Sequence, residues 1–170
     1  SGAGMVLLQK AVERITGEPL NDYIQQVVFT PLGMKHSSYI TSPDWKDVAL
    51  GYTAAGEPQE YKSEESNSAS SLSTTAEDYA TFLNALLDRK GLKPSTFSDM
   101  ERAQIAVDMA CENCVAQAPS GKLSTSIFWG LGVGIEKTAE RLSLWHWGDN
   151  GIFKAFFVVR PASRSGVVYM

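Results

Sequence analysis

The sequence predicts an α+β fold, and three observations carry that prediction. An amphipathic helical period runs through the first part of the chain. Near residue 126 the period shortens to two. The apolar segments beyond that point are joined by KTAER, GDNG and PASRS, links short enough for antiparallel hairpins. Residues 1–125 therefore read as a mainly helical region with loops, and residues 126–170 as antiparallel strands, together making a single partial domain.

The first helix is expected over residues 4–16, where Val6, Leu7, Leu8, Ala11, Val12 and Ile15 recur at helical spacing and Gly17 follows as a natural C-cap. A second is expected to begin near Asn21, whose side chain can cap orphan amides. It should bury Tyr23, Ile24, Val27 and Val28 and end before Pro31, because the residue ahead of a proline is pushed out of the helical region. The turn PLGM comes next. Residues 35–67 are rich in Pro, Gly, Ser and charge, with one extended candidate at VALGYT and an acidic loop at KSEES. A third helix is signalled by Thr75 with Asp78 three residues on, a variant capping box, and by the repeating face Tyr79, Phe82, Leu83, Leu86 and Leu87 ahead of Gly91. A fourth is read from about Pro94 to Met109, with proline in its first turn. The strand candidates are SIFWGLGVGIE, LSLWHW, FKAFFVV and GVVYM, and GDNG supplies the residues best able to take a positive φ.

Composition narrows the function. With 170 residues, of which 44% are hydrophobic and 20% charged, the chain can bury a real core. A net charge of -4 and a pI near 5.2 argue against a nucleic-acid or anionic-membrane partner, since both need clustered Lys and Arg to displace counterions. No apolar run approaches the roughly 20 residues that cross a bilayer, so a soluble chain without a membrane segment is expected. The chain opens on Ser1 directly into a helical pattern and stops at GVVYM within an apolar strand, and is expected to be a piece of a longer protein. Cys111 and Cys114 form one CENC motif. His36 and His146 lack zinc-finger spacing to it, so no metal is expected. The motif follows a helical pattern rather than a strand, which favours two loop thiols, bridged in an oxidising compartment, over a redox pair.

Self-sufficient catalytic signatures are missing. The sequence contains no GxSxG, HExxH or GxxxxGK[ST], and the alternate glycines of GLGVGIE suit a bulge or a closely approached strand better than a nucleotide loop. Useful groups concentrate instead at LWHWGDNG. Strand alternation sets Trp145 and Trp147 on one side, and Leu144, His146 and Gly148 on the other. His146 beside the bare backbone of Gly148 suits a ligand lying along the strand edge. A histidine satisfied by a carbonyl next to a tight turn is the competing reading.

The stretches SGAGMVLLQKAVERITGEPLNDYIQQVVFTPLGM, GYTAAG, SLSTTAEDYATFLNALL and HWGDNGIFKAFFVVRP together resemble the serine β-lactamase and D-alanyl-D-alanine carboxypeptidase superfamily, within it the class C β-lactamase-like serine hydrolases and esterases. The likeness covers nearly the whole chain in order. It implies a partial β-lactamase/transpeptidase-like fold and acyl transfer through a serine ester, acting on a small-molecule or peptide acyl substrate (an ester, an amide or a β-lactam) and using no cofactor. Such sites are built from an SxxK, a YxN-type motif and a KTG or HxG strand. Only the last is whole here, as His146, Trp147 and Gly148. No lysine has a serine three positions before it, and no YxN occurs.

By the same resemblance His146 and Trp147 line the substrate, Gly148 keeps the strand accessible, and Asp149 offers its backbone N–H to the oxyanion hole. Ser1 and Gly2 would be the last two positions of the second motif, with its tyrosine just upstream. Nucleophile and general base are absent, so the chain alone is expected to be inactive. A non-catalytic binding or interaction module derived from the fold is the alternative. The resemblance further implies a periplasmic or extracellular setting, and truncation of the sheet implies a homodimer through exposed strand edges near VVYM and FFVV.

Overall fold

In the computed structural model, residues 2–108 and 122–170 are described; the CENC motif at Cys111 and Cys114 lies outside them. The fold is α+β. The chain divides into two compact units, one of Ser1–Phe82, Gly148–Ala155 and Met170, the other of Leu83–Trp147 and Phe156–Tyr169.

The first unit opens with α1 (Gly2–Thr16), which ends at Gly17 in the left-handed region (φ 76°), as the sequence predicts. The face it turns inward is not the expected one. Leu7, Leu8 and Ile15 are 73%, 59% and 84% exposed, whereas Gln9 is buried. Polar pins explain the rotation. Gln9 Nε2 donates to the Ser66 carbonyl (3.0 Å) and its Oε1 accepts from Ser68 N (2.9 Å), while Ser68 Oγ donates to the Met5 carbonyl (2.8 Å). Glu13 Oε1 takes Gln9 Nε2 and the amide of Leu20, tying the helix to its successor and holding its carboxyl below the ordinary range, with Gln9 and Lys10 the largest contributors.

The second helix starts one residue earlier than expected, at α2 (Leu20–Ile24), with Pro19 at the cap position and no side-chain cap. Asn21 works elsewhere, its Oδ1 accepting from Ser38 Oγ (2.9 Å) and Tyr39 N (3.0 Å). Nor does the helix stop before Pro31. It widens into a π turn at Gln25–Phe29 and closes as α3 (Thr30–Leu32), with Pro31 in the first turn of that last segment, where no amide hydrogen is required. The buried residues are Leu20, Phe29 and Met34, while Val27 is exposed. Tyr39 stacks on Phe29 with centroids 6.2 Å apart.

Beyond Met34 the backbone is ordered by side chains rather than by regular structure. Strands β1 (Gly51–Tyr52) and β2 (Pro58–Gln59) form a short antiparallel pair within VALGYT and its continuation. Asp78 begins the next helix, α4 (Ala76–Leu87). Half of the expected capping box forms, Asp78 N donating to Thr75 Oγ1 at 3.1 Å. The Asp78 carboxylate goes to the loop instead, accepting from His36 N (2.7 Å) and Ser37 Oγ (2.8 Å), and Ser37 Oγ also meets Thr74 Oγ1 (2.7 Å). The loop thereby finds partners for buried polar groups that no ladder satisfies.

In the second unit α5 (Pro94–Met100) is shorter than expected, and the sequence reading to Met109 is corrected by a strand, β3 (Ile105–Asp108). The stretch follows the period of its partner: Ile105 pairs with Trp129 and Ala106 with Phe128, on β4 (Leu123–Trp129), with a bulge before Asp108. SIFWGLGVGIE is two strands, β4 and β5 (Gly134–Lys137), joined by a turn in which Gly132 has φ 77°. Then come β6 (Leu142–Asp149), β7 (Lys154–Arg160) and β8 (Ser165–Tyr169), giving a six-stranded sheet in sequential order. Ile135 opposite Leu144 is fully buried with it, and β7 buries alternate residues, Phe157 and Val159. Arg164, in the turn before β8, reaches the Asp88 carboxylate.

Asp78→Ala should strand the His36 amide and the Ser37 hydroxyl and lower unfolding free energy by roughly 1–3 kcal/mol. By contrast, Leu8→Gln or Ile15→Gln should change it by no more than about 0.5 kcal/mol, because the α1 stripe faces out. Urea titration of the three variants checks both; a large loss at Leu8 or Ile15 would restore the sequence-based orientation.

Candidate functional site

The register of three strands sets the position of His146. Trp129 on β4 pairs with Gly134 on β5, which pairs with Trp145 on β6, so the three share one side of the sheet. Gly134 provides no side chain there. A Cβ on it would lie 2.3 Å from the Trp145 ring. The two indoles therefore meet across the glycine, their centroids 4.8 Å apart at 53°. This is the close approach that the alternate glycines of GLGVGIE suggest. Gly130 is used similarly, since a Cβ there would lie 2.2 Å from the Met100 carbonyl oxygen, to which Leu131 N donates at 3.1 Å.

By alternation His146 belongs with Leu144, opposite Trp145. It stands one position past the pairing of Gly134, where β5 no longer separates the sheet's two sides. The imidazole lies edge-on to Trp129, centroids 5.4 Å apart at 62°. Its Nδ1 is 2.8 Å from the Trp147 carbonyl oxygen. The carbonyl that the competing sequence reading expects is thus present, at Nδ1. Burial pushes the imidazole below its ordinary pKa, against the opposing pull of that carbonyl. Trp147 is 50% exposed. The partner that sequence reasoning missed is Trp129; the available signal was its cross-strand register with Gly134, which spacing along one strand does not reveal.

Gly148 continues β6 and is exposed, with nothing within 4 Å of where its Cβ would be. Unlike Gly134, it has no neighbour among the described residues that demands a glycine. Asp149 ends the strand, and its carboxylate pairs with Lys154 and accepts from Gly151 N (2.8 Å), two contacts that hold it below the ordinary carboxylate range, Lys154 foremost. Asn150 Oδ1 accepts from Phe153 N (3.0 Å), and Gly151 takes φ 92°, so DNG closes the turn as its composition predicts. Within this same unit Phe153 meets Tyr61 edge-on (6.4 Å, 70°), and Ile152 fills the space beside Gly51. Tyr61, with Ile40, Trp45 and Leu50, lines an open groove of about 570 Å³.

Gly2 opens α1, where a Cβ would rest 3.6 Å from Ala69; Ser1 lies outside the described residues. Tyr39 and Tyr79, two partly buried tyrosines of this chain, are poor stand-ins for the one expected upstream. Burial raises the pKa of Tyr39 and pushes that of Tyr79 up to about 12, the wrong direction for accepting a proton as phenolate. Among the described residues no group of three His, Cys, Asp or Glu could hold a metal ion, and no helix is long and apolar enough to cross a membrane.

Helices followed by an antiparallel sheet that carries an HxG strand are what the resemblance to the β-lactamase superfamily implies, and the comparisons agree. The chain belongs to the beta-lactamase family, whose model matches residues 1–170. No curated protein matches it in sequence. Among solved structures it is similar to an octameric penicillin-binding protein homologue from Pyrococcus abyssi (23% identity, TM-score 0.79, 98% of this chain and 36% of that one). It is likewise similar to a class C beta-lactamase (19%, TM-score 0.74, 99% and 50%) and to a D-amino acid amidase from Ochrobactrum anthropi SV3 (22%, TM-score 0.73, 99% and 53%). The chain thus spans between about a third and a half of these relatives' length.

The two glycines give a paired prediction. Gly134→Ala should force the Trp145 ring aside and cost about 1–3 kcal/mol. Gly148→Ala should leave stability within about 0.5 kcal/mol. Thermal unfolding followed by tryptophan fluorescence separates them, and equal effects would refute the different reasons given for the two glycines.

Proposed function

We propose that the chain is the C-terminal part of a serine hydrolase of the beta-lactamase family and supplies the strand wall of an acyl-transfer site. The observation that carries this reading is β6, which ends in His146, Trp147, Gly148 and Asp149 with open space over Gly148. A glycine that no described residue requires is accounted for by a ligand laid against the strand. In this reading His146 and Trp147 line the acyl substrate, and the Asp149 backbone N–H is one of two donors for the tetrahedral oxyanion, a contribution typically of about 10²- to 10³-fold in rate. The acyl group would be carried on a serine oxygen as an ester and released to water, hydrolysing an ester, an amide or a β-lactam, and this chemistry needs no cofactor.

The nucleophile is not among this chain's residues by motif, since none of its lysines is preceded at three positions by serine. Two features support its being part of a longer hydrolase. The exposed apolar stripe of α1 and the β8 margin of the sheet, with Val167 and Tyr169 54% and 58% exposed, are surfaces that a larger fold would cover. We propose with the same reading that the parent works in the periplasm or outside the cell.

Incubated alone with a β-lactam or an activated ester, the chain should show no covalent adduct by intact-mass spectrometry; a stoichiometric serine adduct would overturn the assignment of the nucleophile elsewhere. A parent reading frame carrying SxxK, and a tyrosine immediately ahead of Ser1, would support the hydrolase. A frame without them would favour a binding module on the same fold.

The chain in isolation should pair through its sheet margin. Light scattering is expected to give a homodimer that Val167→Lys converts to monomer, whereas a monomeric wild-type chain would sink this part of the proposal.

A further inference from the structure

We infer that His146 presents an unprotonated Nε2 to its ligand, so that the ligand group it selects is a hydrogen-bond donor, such as an amide N–H or a hydroxyl, rather than a carboxylate. The inference rests on the reading of His146 as a wall of the acyl-transfer site and specifies the substrate class that wall accepts.

The geometry at Nδ1 fixes the tautomer. Nδ1 lies 2.8 Å from the carbonyl oxygen of Trp147, and a carbonyl only accepts, so Nδ1 carries the proton. A neutral imidazole has one N–H, which leaves Nε2 with a lone pair. Among the described residues Nε2 has no hydrogen-bond partner, so its acceptor capacity is unspent.

The alternative is a cationic ring that donates from both nitrogens and attracts a carboxylate. The surroundings oppose it. Trp129 packs at 5.4 Å and shields one side of the ring from water, which disfavours the charged form. No carboxylate among the described residues pairs with His146, whereas His36 has Asp78 at 4.0 Å. Burial outweighs the Trp147 carbonyl and keeps the imidazole below its ordinary pKa, so near neutral pH the ring is uncharged.

The consequence for recognition is directional. A carboxylate facing Nε2 would set lone pair against lone pair and lose water without compensation, whereas an amide N–H or a hydroxyl completes the hydrogen bond. A lysine at this position would do the reverse, because an ammonium only donates. Trp129 is then a positioning residue, acting through the ring that it holds.

Nitrogen-15 NMR of the full chain tests this, with His36→Gln assigning the two histidines. Near neutral pH, His146 should show a pyrrole-type Nδ1 and a pyridine-type Nε2. Two probes differing only at one end, N-acetyl-D-alaninamide and N-acetyl-D-alanine, are then titrated. The amide should shift Nε2 and bind about tenfold more tightly, the order expected for one hydrogen bond made rather than blocked. His146→Lys should reverse that preference. A protonated, pyrrole-type Nε2, or a carboxylate bound as tightly as the amide, would overturn the inference and leave the acyl-transfer reading standing. Failure of both probes to move the His146 nitrogens would overturn the two together.

Discussion

The ladder across Gly134 constrains everything that can be said of the HxG strand. Two tryptophans, on β4 and β6, occupy the same side of the sheet at directly opposed positions with a third strand between them. Only a residue without Cβ lets the rings meet there. Their contact locks the register of β4, β5 and β6, and a slip of one residue would turn Trp145 to the Leu144 side and His146 to the other. The same register leaves His146 just past the end of pairing with β5, where Trp129 can reach it. The imidazole's direction is thus a consequence of strand pairing some residues away, and its single backbone hydrogen bond is a local adjustment within that frame.

In the first unit the corresponding role falls to a few buried polar side chains. Gln9, Asn21 and Asp78 each satisfy backbone groups of segments that form no ladder. Each hydrogen bond has a modest net worth. Leaving one of these buried partners unmade is costly, so the pins act by excluding other arrangements rather than by adding much stability. This explains why residues 35–67, which have almost no regular structure, still hold a defined path, and why α1 turns a glutamine inward and leaves leucines outside.

The sequence made the α+β order, the chain direction of the elements and the DNG turn legible, because each depends on a period or on a residue with special φ. It misled where the outcome depended on a partner. The stripe on α1 is a true helical stripe, but periodicity reports which residues form one face, not which face the remainder of the chain covers. ERAQIAVD lies between a helix and β4, and pairing with β4 decided its state against its local preference. Pro31 stopped nothing, because a π turn ahead of it absorbed the mismatch. At the site, the residues of the HWGD strand could be picked out, while Trp129 could not. The choice between a satisfied histidine and a ligand-facing one also could not be made, since it depends on where the ring's two nitrogens come to lie, and only Nδ1 meets a carbonyl.

In the proposed reading, the different situations of the two nitrogens bear on how an acyl-transfer wall discriminates. Oxyanion stabilisation uses backbone N–H groups and is indifferent to the substrate's remote chemistry, so it cannot by itself separate one acyl compound from another. Selectivity has to come from side chains that lose a bond when the wrong group arrives. A neutral imidazole fixed at Nδ1 is such a side chain, because its only remaining capacity is to accept. In the proposed site Gly148 would admit the ligand backbone without reading it, and the half-exposed Trp147 would offer apolar area that tolerates many shapes. If this strand is the acyl-transfer wall proposed above, discrimination between polar ligand groups falls chiefly to Nε2 of His146, and the protonation state set by burial and by the Trp147 carbonyl decides which groups it admits.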